Sequence, residues 1–156
     1  MATIIKSPAP LPEGYAVFLA GSIEQGQAAA WQIAIENELS NTDILIFNPR
    51  RDIWNPEITH SKSDPQFREQ VDWELTALEK ANLIAMYFDP ATKSPISLLE
   101  LGLYAHSGKL IVCCSEGFWR KGNVDIVCNR YGIEQVDSLN KLVERIIQIA
   151  NEGRRA

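Results

Sequence analysis

Cysteine, histidine, basic charge and long apolar runs are all scarce in this chain, and each shortage excludes something. Three cysteines in 156 residues, two of them adjacent at Cys113 and Cys114 and the third at Cys128, cannot build a disulfide-dense scaffold. No CxxC or zinc-ribbon spacing is present, and the two histidines, His60 and His106, stand apart from each other and from the cysteines. Neither a metal site nor a cofactor is therefore expected. No stretch approaches the roughly 20 apolar residues of a membrane span. The amino terminus lacks the basic-then-apolar order of a signal peptide, because prolines at 8, 10 and 12 interrupt it. Fifteen basic residues against twenty acidic ones leave a net charge of -5, which gives no general attraction for nucleic acid polymers or anionic membranes. The expected setting is cytoplasmic and reducing.

What is present is 46% hydrophobic residues, enough for one core without staples. After a proline-rich lead-in over residues 1–14, a single domain over 15–152 shows strand and helix signals in alternation. Tyr15 to Ala20, Ile44 to Phe47, Leu83 to Phe88 and Leu110 to Cys114 are short apolar runs bounded by turn formers, the pattern of buried strands. A fifth, weaker strand candidate lies between 124 and 136. Helices are expected over about 24–39, from Asp64-Pro65 through Leu78, from Ser94-Pro95 to near Ser107-Gly108, and from Leu139 to just before Gly153. On the second, Phe67, Val71, Leu75 and Leu78 mark an apolar face; on the third, Ile96, Leu99, Leu103 and Tyr104 do so. The long polar loop over 48–65 has the length of a functional segment. Such alternation predicts a three-layer, doubly wound α/β domain with a mostly parallel sheet of about five strands. Ligands bind beyond the carboxyl ends of the strands in such folds.

Four places lie at those ends: Gly21-Ser22, Asn48-Pro49-Arg50-Arg51-Asp52, Asp89 and its loop, and Ser115-Glu116-Gly117. Gly21-Ser22-Ile23 follows the first strand as a turn able to present N–H groups to an anion. It continues as Glu24-Gln25-Gly26, which is neither GxGxxG nor GxxxxGK[ST], so a purely structural turn is an equal reading. Asn48, Arg50, Arg51, Asp52 and Trp54 follow the second strand, where an arginine could neutralise a phosphate, fix a buried acid or form a surface ion pair. Asp89 opens the loop before the third helix, either to move a proton or to cap a turn. Glu100 stands in Ile96-Ser97-Leu98-Leu99-Glu100-Leu101-Gly102, a segment apolar nearly all round, on the side expected to carry Ile96, Leu103 and Tyr104. A carboxylate there needs a polar cavity or a partner, and so is either structural or catalytic. Asp72, Glu74 and Glu79 could form a solvated helix face, and Trp73 could be a core aromatic or the roof over a planar ligand. The cysteines read as buried thiols, with Cys113 and Cys114 pointing to opposite faces of their strand. A GxSxG nucleophile elbow is absent.

Phe18-Leu19-Ala20-Gly21-Ser22-Ile23, Phe47-Asn48-Pro49-Arg50-Arg51, Gln70-Val71-Asp72-Trp73-Glu74 and Leu98-Leu99-Glu100-Leu101-Gly102 together resemble the nucleoside 2-deoxyribosyltransferase-like family. Their order and spacing cover about residues 15 to 115. The resemblance implies a flavodoxin- or Rossmann-like fold and cleavage of N-glycosidic bonds in deoxynucleosides or their monophosphates. It implies that Glu100 is the nucleophile, that Glu74 orients it or binds a sugar hydroxyl, and that Gly21, Ser22 and Ile23 line the substrate pocket. One departure stands out: where a transferase pattern has an aspartate six residues before the nucleophile, this chain has Ser94, leaving Asp89 or a different base chemistry to fill that role.

The function expected on these grounds is cleavage through a glutamyl-glycosyl intermediate, with transfer of the deoxyribosyl group to another base. Two alternatives stay open. One is hydrolysis of a nucleoside 5'-monophosphate to base and sugar phosphate, with Ser22 and Arg50 or Arg51 as phosphate contacts. The other is a nucleotide-binding or sensory domain without catalysis. The expected partner is a small nucleoside or nucleotide rather than a nucleic acid polymer or membrane. One short domain leaves few walls for a pocket, which favours a homo-oligomer such as a dimer.

Overall fold

The computed structural model describes residues 1–23, 30–50 and 55–155. Its elements in chain order are β1 (Thr3–Lys6), β2 (Ala16–Gly21), α1 (Trp31–Leu39), β3 (Leu45–Asn48), α2 (Pro65–Lys80), β4 (Leu83–Phe88), α3 (Pro95–Tyr104), β5 (Leu110–Cys114), α4 (Lys121–Tyr131), β6 (Glu134–Val136) and α5 (Leu139–Arg155). The strands form one six-stranded sheet in the order β1-β3-β2-β4-β5-β6. Every pairing is parallel. Strands β2 to β5 are almost wholly buried because both faces of the sheet are covered, which is why they read as continuous apolar runs. Helices α2, α3 and α4 pack on one face around Phe18, Phe47, Met86 and Phe88. On the other face, α1 and α5 enclose Val17, Leu19, Ile46 and Ile111. Cys114 belongs to the first cluster and Cys113 to the second, as strand alternation requires.

Four features differ from the sequence reading. The lead-in contributes an edge strand: Thr3, Ile4 and Ile5 pair with Leu45, Ile46 and Phe47, so the sheet has six strands rather than about five. Residues 121–131 are helical, because Val124 and Cys128, one helical turn apart, are the buried pair facing the sheet; the short β6 follows. Helix α5 runs through Gly153, whose missing side chain lets it lie against the Tyr15 ring, 3.1 Å from where a Cβ would stand. Helix α1 begins at Trp31; residues 24–29, where an earlier start is expected, lie outside the described residues. Asp64 does cap α2, accepting from the N–H groups of Gln66 and Phe67, with Pro65 as the first helical residue. Among the described residues no helix is long and apolar enough to cross a membrane.

The order β3-β2-β4-β5-β6 is the 2-1-3-4-5 arrangement of flavodoxin-like sheets, with β1 added outside. The chain leaves β2 toward β3 and returns on the other side to β4. The crevice between the carboxyl ends of β2 and β4 is thus the topological switch point.

Candidate active site

Gly21 ends β2 and Asp89 follows β4, so both lie at this crevice. Gly21 has φ +136°, and a Cβ there would stand 2.1 Å from the Tyr87 carbonyl oxygen. Only glycine allows the two strands to end this close together. Ser22 is fully buried, and its hydroxyl ties the two ends. It accepts from the Asp89 N–H at 2.8 Å and from Thr92 Oγ1 at 2.9 Å, and lies 2.7 Å from Ser94 Oγ. Thr92 and Ser94 close the triangle at 2.8 Å. Ser94 sits in the left-handed region with φ 48°. That conformation costs of order 1 kcal/mol or more, and the hydroxyl knot and Pro95 hold it. The Asp89 carboxylate accepts from the Ala91 N–H at 2.9 Å, which folds the loop back on itself.

This loop launches α3, and α3 is turned opposite to the expected way. Ile96, Leu99 and Leu103 are 58%, 59% and 57% exposed, whereas Ser97, Glu100 and Leu101 are its buried residues. Tyr104 is half-buried against the core. Glu100 therefore does not share a buried side with Ile96 and Leu103: it faces in with Ser97 and Leu101, while Ile96, Leu99 and Leu103 face out. Burial, and then the charge of Glu74, push the Glu100 carboxyl up from 4.5 to about 8. The like charge of Glu74 acts on Glu100 through space, although 26 residues separate them in sequence.

On α2 the buried residues are Gln70, Trp73, Ala77 and Leu78; of the expected Phe67-Val71-Leu75-Leu78 face, Leu78 is fully buried and the other three are half-buried. Gln70 Nε2 donates to Glu74 at 2.8 Å and to the Pro49 carbonyl at 3.1 Å, coupling the half-buried Glu74 to the end of β3. Trp73 is a core residue here, tilted against Phe18, with its indole N–H donating to the Ala9 carbonyl. Asp72 and Glu79 are exposed, on the solvated side of the helix.

At the end of β3, Asn48 is buried, donating to Glu36 Oε1 at 2.6 Å and accepting from the Arg50 N–H at 2.9 Å. Arg50 NH1 reaches Gln32 Oε1 at 3.3 Å. Arg51, Asp52 and Trp54 lie outside the described residues, and Ile23 is half-buried beside Ser22. Gln32, Glu36, Gln70 and Thr92 are buried polar members of this region that the sequence reading passed over. A signal for two of them existed: Gln32 and Glu36 lie one helical turn apart, directly beside the buried Trp31-Ile35-Leu39 stripe. Two surface clefts, of about 230 Å³ between His106 and Tyr131 and about 280 Å³ between α1 and α5, are lined by neither Glu100 nor Glu74. The cysteine thiols do not compete for a catalytic role. Burial pushes Cys113 and Cys128 up to about 11 and Cys114 up to about 12, far from the thiolate a nucleophile needs. Among the described residues no group of three His, Cys, Asp or Glu side chains is placed to hold a metal ion.

A buried carboxyl on the helix that leaves the switch point, raised in part by a second carboxyl, fits the paired carboxyl groups that glycosyl transfer uses. The family model for nucleoside 2-deoxyribosyltransferase-like proteins matches residues 14–118, about two thirds of the chain. The chain belongs to this family. Membership supports a glycosyl-transfer or N-glycosidase role on a nucleoside, and the matched segment carries β2, the Ser22 knot, Glu74 and Glu100. No curated protein matches the chain. A crystal structure of a conserved protein from Enterococcus faecalis V583 is similar in fold, with a TM-score of 0.61 at 14% identity, covering 86% of this chain and 98% of that one.

Proposed function

We propose that this family member cleaves the N-glycosidic bond of a deoxynucleoside or its monophosphate and transfers the deoxyribosyl group to another base. The observation that supports this best is Glu100, a buried carboxyl facing inward from an otherwise apolar helix and raised to about 8 by burial and Glu74. In its ionised form a Glu100 oxygen attacks the anomeric carbon. The bond to the base breaks, its electron pair leaves with the base, and the base takes up a proton. A second base then attacks the same carbon, gives up its own N–H proton and releases Glu100 as the carboxylate. Glu74 orients Glu100 or holds a sugar hydroxyl, and Asp89, at the end of β4, is the nearest counterpart to the acid that Ser94 replaces. Gly21, Ser22, Ile23, Asn48, Arg50, Arg51, Asp52, Trp54 and Ser94 make up the proposed substrate-binding surroundings, and the core residue Trp73 leaves that set. Ser22 and Ser94 act there by fixing the loop that carries Asp89.

Hydrolysis differs only in the second step, where water replaces the acceptor base. A domain that merely binds nucleotides has no use for an inward carboxyl whose ionisation opposes folding, so catalysis is the better reading. We place the reaction in the cytoplasm, carried out by a homo-oligomer. The outward face of α3, with Ile96, Leu99 and Leu103, bears no charge and so suits a second copy of itself across a two-fold axis. The test is chromatography of deoxynucleosides and their monophosphates with and without an acceptor base, followed by mass spectrometry of trapped protein. Base release with a sugar adduct on Glu100 is expected. If no such compound yields free or exchanged base, the catalytic reading fails.

A further inference from the structure

The loop after β5 folds against the loop after β4. The Ser115 N–H donates to the Phe88 carbonyl at 3.3 Å, Phe118 packs on Phe88 with ring centroids 4.9 Å apart, and the Trp119 indole N–H donates to the Lys93 carbonyl at 2.8 Å. This last bond orients a tryptophan that is still 46% exposed. The Lys93 ammonium lies 4.5 Å from its ring centroid and the Arg120 guanidinium carbon 4.6 Å, so the two cations are at most about 9 Å apart. Neither has a carboxylate partner among the described residues. The acids of the neighbouring turn are directed elsewhere: Lys121 meets Asp125 at 2.9 Å and Glu116 at 4.0 Å. Lys80, Lys141 and Arg145, by contrast, each meet a carboxylate. Two like charges gathered on one ring and left unneutralised are held there against their own repulsion.

We propose that Lys93 and Arg120, carried on Trp119, form a phosphate-binding site at the mouth of the sheet. Both side chains are exposed and long enough to turn onto one phosphate group, each with charge-assisted hydrogen bonds of about 2.7–2.9 Å. The amino ends of α3 and α4, beginning at Pro95 and Lys121, add partial positive charge on either side. Lys93 directly precedes Ser94, and Glu100 follows six residues later on the same helix, about 9 Å along its axis. A phosphate carried by the substrate and a free phosphate ion share this chemistry. The first source rests on the glycosyl-transfer reading above; the second does not.

Binding, rather than turnover, separates these sources. Glu100→Gln protein is titrated by calorimetry and tryptophan fluorescence with a deoxynucleoside 5'-monophosphate, the parent deoxynucleoside and inorganic phosphate. The same titrations are repeated with Lys93→Ala and Arg120→Ala added together. Both side chains are exposed, so an unchanged melting temperature verifies folding. If the phosphate is the substrate's, the added pair weakens the monophosphate at least about tenfold and leaves the nucleoside unchanged. Phosphate ion that perturbs Trp119, is lost in the double substitution and does not compete with the monophosphate assigns the site to the free ion. Wild-type affinity for both phosphate ligands in the substituted protein overturns the proposal. A failure of the glycosyl-transfer reading shows separately, as absence of base release by the protein with Glu100 intact.

Discussion

Helices α3 and α5 carry similar apolar spacing and use it in opposite ways. In α5, Leu142, Val143, Ile146 and Ala150 are buried and the charged residues face water, so hydrophobic burial alone orients the helix. In α3, Ser97, Glu100 and Leu101 are buried while Ile96, Leu99 and Leu103 face out. Apolar patterning orients a helix whose only task is packing. A helix that turns a carboxyl inward and leaves branched side chains in solvent forgoes that stabilisation, and such exceptions concentrate at functional sites.

The sharpest way to break this contrast is to remove the inward group of each helix. Glu100→Ala is expected to lower turnover by about 10³-fold or more, as loss of a nucleophile does, with the fold retained; steady-state base release against circular dichroism checks it. Ile146→Ala, on the packing helix, is expected to cost about 2–5 kcal/mol of stability in urea unfolding. The pH response separates the helices further. The folded protein keeps a proton on Glu100 up to about 8, which the unfolded chain releases near 4.5. This group therefore leaves stability intact below about 4.5 and lowers it progressively as pH rises through 8. Glu100→Gln carries no such proton, so its melting temperature is expected to gain on wild type between those limits. Turnover needs the ionised form, so kcat/KM is expected to rise toward pH 8. Glu74→Gln, which removes a like charge, moves that midpoint down by less than the whole shift, because burial is the larger cause. The smallest effect is expected outside: Leu99→Glu changes urea stability of the isolated chain by no more than about 0.5 kcal/mol, and its reading is a lower sedimentation coefficient if α3 joins two copies.

How legible each part was follows from how local its cause is. The start of α2 was readable from Asp64-Pro65, since a cap and the helix it satisfies adjoin in sequence. Strands β4 and β5 were readable because burial on both faces writes an uninterrupted apolar run. Strand β1 was hidden: four residues before a proline cluster carry little pattern, and only pairing with β3 makes them a strand. Helix α4 was hidden because it buries just Val124 and Cys128, too short a stripe to outweigh Gly122 within it and Gly117 and Gly132 around it. Glu100 was legible as an anomaly and through its resemblance motif, but the face it occupies was not. Gln70 and Thr92 were missed because a buried polar residue is recognisable only with its partner.

The sequence by itself determined the alternation of strands and helices, the parallel class of the sheet and the family. Each of these rests on patterns spanning neighbouring residues or on a short motif. Tertiary structure alone decided that Ser22 meets Ser94 across 72 residues, that Glu74 raises Glu100, and that α3 turns its carboxyl inward while Ile96, Leu99 and Leu103 stay outside. Those outcomes depend on which element lies beside which at the β2–β4 crevice. Hydrogen bonds and desolvation act over a few ångströms of space, whatever the separation along the chain.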